Sequence, residues 1–154
     1  MDAPGDGVLV SHGDQGGGYV LYVEDGRPHF AYSEYGVLQE SDAGPVPRGP
    51  HEIAVSVTAE KGPRRRFSVA VDGVERVERA APDSVHQLIG MAPFQGISVG
   101  VDRRSAVSWP LHQRHVGFRH TEGLRSVTYR PGAAAPDSPA AVAAAPREAA
   151  AAFE

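Results

Sequence analysis

Apolar residues in this chain recur at every second position, in short runs separated by turn signals. Such period-2 patterns mark strands with one face buried. Val8–Ser11 opens the series. Tyr19–Glu24 follows, with Tyr19, Leu21 and Val23 facing one way and Val20, Tyr22 and Glu24 the other. Asp25-Gly26 is a hairpin turn into an aromatic-rich strand at Pro28–Tyr35, because glycine supplies the positive φ that two-residue turns need. A Gly- and Pro-rich loop spans Ser41–Pro50. Glu52–Ala59 points Ile53, Val55 and Val57 inward, and Arg66–Val71 does the same with Phe67, Val69 and Val71. Asp72-Gly73 turns the chain into Val74–Val77, and Phe94–Val101 and Gly123–Tyr129 complete the strands. No amphipathic helix interrupts them. Strands at this spacing predict an all-β, antiparallel two-sheet sandwich of jelly-roll type.

Composition sets the boundaries. Pro131–Glu154 is almost entirely Ala and Pro, with only Val142 and Phe153 as anchors, and it buries too little to offset its ordering entropy. The division is therefore a lead-in at 1–6, a folded domain at 7–130 and a flexible tail at 131–154, with a short helix possible at Arg147–Phe153. With 19 acidic and 15 basic residues the net charge is −4, which disfavours a nucleic-acid partner. There is no cysteine, which removes disulfides and thiolate chemistry. No apolar run approaches the roughly 20 residues of a membrane helix. The first residues show no leader pattern, so a cytoplasmic setting is expected. Arg is used almost to the exclusion of Lys, a habit associated with GC-rich bacterial genomes and their specialised metabolism.

The order of motifs is similar to a known domain. Gly7-Val8-Leu9-Val10-Ser11-His12-Gly13, then Gly17-Gly18-Tyr19-Val20-Leu21-Tyr22-Val23-Glu24-Asp25-Gly26-Arg27-Pro28, resembles the opening of the C-terminal β-sandwich of bacterial arylsulfatases. Val46-Pro47-Arg48-Gly49-Pro50-His51, the Phe67–Gly73 hairpin, Ser98–Asp102 and the closing Phe118–Tyr129 segment continue the likeness. It implies a concanavalin-like, laminin-G-like sandwich standing without the sulfatase catalytic domain. It carries over no sulfatase chemistry, since the formylglycine motif is missing. The chain departs from the pattern at Arg103-Arg104, where the family has glycine, and in its His-rich stretch from Trp109 to His120.

Seven histidines make proton transfer and ligand binding the chemistry to consider. His12, His29, Asp102 and His115 are the catalytic candidates, because imidazole and carboxylate exchange protons near neutral pH. Tyr22 and Tyr32 share a parity that predicts one sheet face, and with Trp109, His112 and His120 they form the candidate ligand-binding set. His12 and His29 are expected near one end of the sandwich, and His115 on a loop. His112, His115 and His120, with Asp102, also invite a zinc reading, but they lack the paired spacing of a rigid site, so no metal and no cofactor are expected. The basic tip Lys61, Arg64, Arg65 and Arg66 reads as a solvated turn.

Three functions follow. The first is a free-standing sandwich that binds a small molecule or glycan on a concave aromatic, His-lined face. The second is a small cofactor-independent cyclase, isomerase or hydrolase working in the same pocket. The third is a structural partner of a separate sulfatase-like subunit. Edge strands leave a homodimer open.

Overall fold

The computed structural model describes residues 5–34, 37–60, 65–80, 95–103 and 105–133. The expected all-β sandwich is what the chain forms. Among the described residues, eight strands, β1 (Gly7–Asp14), β2 (Gly17–Glu24), β3 (Arg27–Glu34), β4 (Val37–Asp42), β5 (Ile53–Ala59), β6 (Arg65–Val71), β7 (Val74–Ala80) and β8 (Ile97–Val99), precede one helix, α1 (Trp109–Arg114). A five-stranded antiparallel sheet in the order β4-β3-β2-β1-β8 faces a three-stranded sheet in the order β5-β6-β7. Both Asp-Gly turns behave as their sequence predicts. Asp25 and Gly26 have φ of 53° and 67°, and Asp72 and Gly73 have 52° and 76°. Two consecutive positive φ values match the right-handed twist of the flanking strands.

The five-stranded sheet is covered on both faces. Its inner face presents Leu9, Val10, Leu21, Phe30 and Tyr32 to Phe67 and Val69 of the smaller sheet, with Ile53, Val55 and Val77 alongside. Phe67 is the centre of this contact, 5.4 Å from the Phe30 ring and 4.7 Å from that of Tyr32. Its outer face presents Val8, Val20, Tyr22 and Ala31 to Val107 and Leu111, with Leu38 and Phe118 alongside. A bulge in β1 between Val8 and Val10 lets Leu9 and Val10 both serve the inner core.

Several expectations change. Gly123–Tyr129 alternates like a strand but joins no ladder among the described residues; it lays Leu124 and Val127 against the inner core. The Ser41–Pro50 loop is shorter, because Val37–Asp42 forms edge strand β4. Only Ile97–Val99 of the Phe94–Val101 run is strand, Phe94 itself being outside the described residues. Val57 points inward by pattern but stays half-exposed, because β5 is an edge strand of the smaller sheet and Val57 pairs with Phe67 from its outer side. A helix exists before the tail after all: Ser108 caps α1 by accepting a hydrogen bond from the Leu111 N–H at 3.2 Å, and Pro110 sits in the first turn. The tail beyond Ala133, with its suggested helix, the lead-in before Gly5, and Lys61 and Arg64 of the basic tip lie outside the described residues.

The packing around Phe67 predicts that Phe67→Ala costs about 3–5 kcal/mol, read as a lower midpoint in urea unfolding. A cost under about 1 kcal/mol would mean that the two sheets do not meet there.

Candidate functional site

Strand pairing decides which candidate residues meet. A two-residue hairpin pairs residues of opposite parity, so β2–β3 sets Tyr22 opposite His29 and Tyr19 opposite Tyr32. Tyr22 and Tyr32 therefore stand on opposite faces of the sheet, and the shared aromatic pocket expected from their equal parity does not form. His12 and His29 are separated in the same way. His12 pairs with Tyr19 beside the β1–β2 turn, while His29 pairs with Tyr22 beside the β2–β3 turn. His12 lies edge-on to Tyr19 on the inner face, with ring centroids 5.8 Å apart. His29 stacks on Tyr22 at 4.9 Å on the outer face.

On the outer face, the segment from Val101 to Phe118 folds back over the sheet. Val101, Ala106, Val107, Ser108 and Leu111 are buried along it, and this burial holds α1 in place. Beside the helix lies a half-open cleft lined by Val8, Asp102, Ala106, Ser108, Leu111, His112, His115, Gly117 and Phe118. Three candidates, Asp102, His112 and His115, thus converge. Trp109 stands at the rim: it is 46% exposed, its ring meets His112 edge-on at 5.3 Å, and its indole N–H donates to Gln15 Oε1. The cleft has about 10 Å³ of space for a water centre, enough for one water.

Asp102 is the most unusual group in the cleft. Its Oδ2 accepts from the Val107 N–H at 2.9 Å, while its Oδ1 is buried without a hydrogen-bond partner. Burial pushes the carboxyl up, against the Val107 N–H, the Ser11 hydroxyl and nearby His112, which favour the charged form. His120 lies apart. Its backbone N–H donates to the Gly100 carbonyl at 2.9 Å, and its Nδ1 is buried and unpartnered. Its backbone crosses Gly7, where a Cβ would come within 2.5 Å of His120 Cα and where φ is +125°. Glycine is the residue both conditions favour. Among the described residues no group of three or more His, Asp and Glu side chains is arranged to hold a metal ion.

Sequence reasoning missed the clamp that holds the helix down. Glu24 takes two bonds from Arg114, at 3.1 and 3.0 Å, and pairs with His115 Nε2 at 2.5 Å. Burial raises the Glu24 carboxyl, but these two partners outweigh it and hold it below the ordinary value. Tyr22 is fully buried underneath; its hydroxyl donates to Glu40 Oε1, and burial and that partner push its pKa far up. His115 is no free loop residue. It caps the C-terminus of α1, and its ring stacks on Phe118 at 4.1 Å. The polar position of Glu24 at the end of β2 gave no hint of partners some 90 residues away, whereas Ser108 followed by Pro110 was a readable helix start.

Two outcomes follow. His115→Ala removes a stacked ring and half of the clamp, and lowers the melting temperature by a few degrees; an unchanged value would make His115 a bystander. A carboxyl whose folded pKa is raised loses stability as pH climbs from its ordinary value, about 4, through the raised one. Asp102→Asn removes that loss. The variant is more stable than wild type at about pH 7 and gains nothing at about pH 3, read as paired melting temperatures. Equal stability at both values would contradict a buried, unfavourably charged Asp102.

No protein-family model, curated protein or solved structure matches this chain.

Proposed function

We propose that this chain is a β-sandwich binding module that recognises a hydroxyl-rich ligand, a glycan or a small polar molecule, on the α1 side of the five-stranded sheet. The observation that carries the reading is the exposed indole of Trp109 beside a cleft whose Asp102 has a buried oxygen without a partner. An aromatic ring offers a flat platform for the C–H face of a sugar. Carboxylate and imidazole groups take its hydroxyls, and a few converging polar groups fix its orientation. With room for one water, the cleft suits a ligand that lies across the surface and sends one group inward. Such shallow contact goes with dissociation constants of μM to mM. A concanavalin-like, jelly-roll ancestry and a bacterial setting fit this reading and come from the sequence resemblance and residue usage alone.

Acid–base catalysis is the second reading, favoured by one observation. A carboxyl pushed up by burial next to a histidine is the pattern of a general acid or base, and Asp102 beside His112 has it. His12 and Tyr32 take no part in such a site, because they occupy the other face.

Titration of the ¹⁵N-labelled full chain with neutral, amino and acidic monosaccharides and their short oligomers, to about 10 mM, separates these outcomes. The module reading predicts shifts at the Trp109 indole and across 105–112, and at least a tenfold weakening in Trp109→Ala, about 1.4 kcal/mol. Shifts confined elsewhere, wild-type affinity in Trp109→Ala, or no response to any sugar would overturn it.

A further inference from the structure

The crossover between the sheets, residues 43–52, is fixed at both ends. At one end the Ala43 N–H donates to the Pro28 carbonyl at 2.9 Å and the Val46 N–H to the Gly26 carbonyl at 3.0 Å. At the other, Glu52 and Asp72 exchange two bonds: the Glu52 N–H donates to Asp72 Oδ1 at 2.9 Å, and the Asp72 N–H donates to the Glu52 carbonyl at 2.8 Å. His51 completes this second joint. Its Nδ1 lies 2.7 Å from Asp72 Oδ2 and its Nε2 lies 2.8 Å from the Pro47 carbonyl. Both neighbours are acceptors. Neutral imidazole carries one N–H and can donate to only one of them, whereas imidazolium donates to both.

We propose that His51 is a proton-gated clasp: its imidazolium ties the sheet-to-sheet crossover to the β6–β7 turn, and loss of one proton leaves it only one of its two bonds and loosens that end of the crossover. Asp72 is the charged group that faces the ring. Arg76 of β7 also favours the charged form of Asp72, and Arg48 and Glu52 flank His51 on its own segment. The clasp is exposed, so protons reach it directly. Asp72 holds the left-handed conformation of that turn, with φ of 52°. The Asp72 side chain, by accepting from the Glu52 N–H and from His51, secures the joint around that turn.

The direction of the pH effect follows. Asp72 first and then the Pro47 carbonyl hold the His51 pKa above its ordinary value. The resulting stability is fully present below the ordinary imidazole value and is lost as pH rises through the raised one. Asp72 is held low, by His51 first and then by the Glu52 N–H, so its share is lost as pH falls through that lowered value. The clasp is therefore tightest between about pH 4 and about pH 6.5, and it opens on the alkaline side.

The test uses the full chain and two NMR readouts. Ring ¹⁵N shifts report the His51 titration, and amide hydrogen exchange reports the Glu52 and Asp72 N–H groups, each as a protection factor relative to Val69 in β6. We expect His51 to titrate above an unstructured histidine, and protection at Glu52 and Asp72 to fall several-fold between about pH 6 and about pH 9. His51→Gln keeps one donor, and its protection becomes low and pH-independent. Asp72→Asn brings the His51 titration back toward the ordinary value, and this second variant carries the test if His51→Gln folds poorly. Titration of wild-type His51 at or below the ordinary value, or equal protection at both pH values, overturns the clasp.

Discussion

The two-residue turn at Asp25-Gly26 fixes the pairing of β2 with β3, and with it the side of the sheet on which every aromatic of those strands stands. Positive φ at both turn residues leaves Glu24 opposite Arg27 and Tyr22 opposite His29. One residue of slip would exchange the two faces completely. With this pairing, Phe30 and Tyr32 meet Phe67 across the sandwich, while Val20, Tyr22 and Ala31 face the other way. An outer face that carries a buried tyrosine needs a cover. The segment from Val101 to Phe118 supplies it, and the cleft is a by-product of how that cover sits.

The cover is short and depends on few anchors. A helix of six residues would not persist alone in water, since isolated helices need roughly 12–15 residues. Leu111 beneath it, the Ser108 cap, and the Glu24 clamp on Arg114 and His115 hold it. The exposed ion pair contributes little by itself; the apolar contacts carry the load, and the clamp selects the orientation. That orientation places His112 in the cleft wall and Trp109 against it. The residues offered to a ligand and the residues that keep the helix down are thus neighbours on one element.

Much of the sandwich was legible. Phe67, Val69 and Val71 alternate cleanly because β6 is the central strand of its sheet, and all three are buried. Edge strands were harder. In β4, Leu38 packs on the outer core while Val37 beside it stays exposed, so no alternation stands out. The Gly123–Tyr129 segment misled in the opposite sense, because packing Leu124 and Val127 on a core surface produces a strand-like pattern without a partner strand. The candidate site was half legible. Asp102, His112 and His115 were picked by residue type and do converge. The pairing of Tyr22 with Tyr32 failed on parity, a rule the sequence contained in its Asp-Gly turn. Glu24 and Arg114 were invisible because only the folded-back cover brings them together.

The sheet register and the cleft both depend on the opposed faces of Tyr22 and Tyr32 and on the cover over the first. Proton–proton cross-relaxation among aromatic rings tests both at once. The structure predicts contacts of Tyr22 with Phe118 and His29, and of Tyr32 with Phe67, with none between Tyr22 and Tyr32. A contact of Tyr22 with Phe67, or of Tyr22 with Tyr32, would place them on one face and contradict the register, the cover and the cleft together.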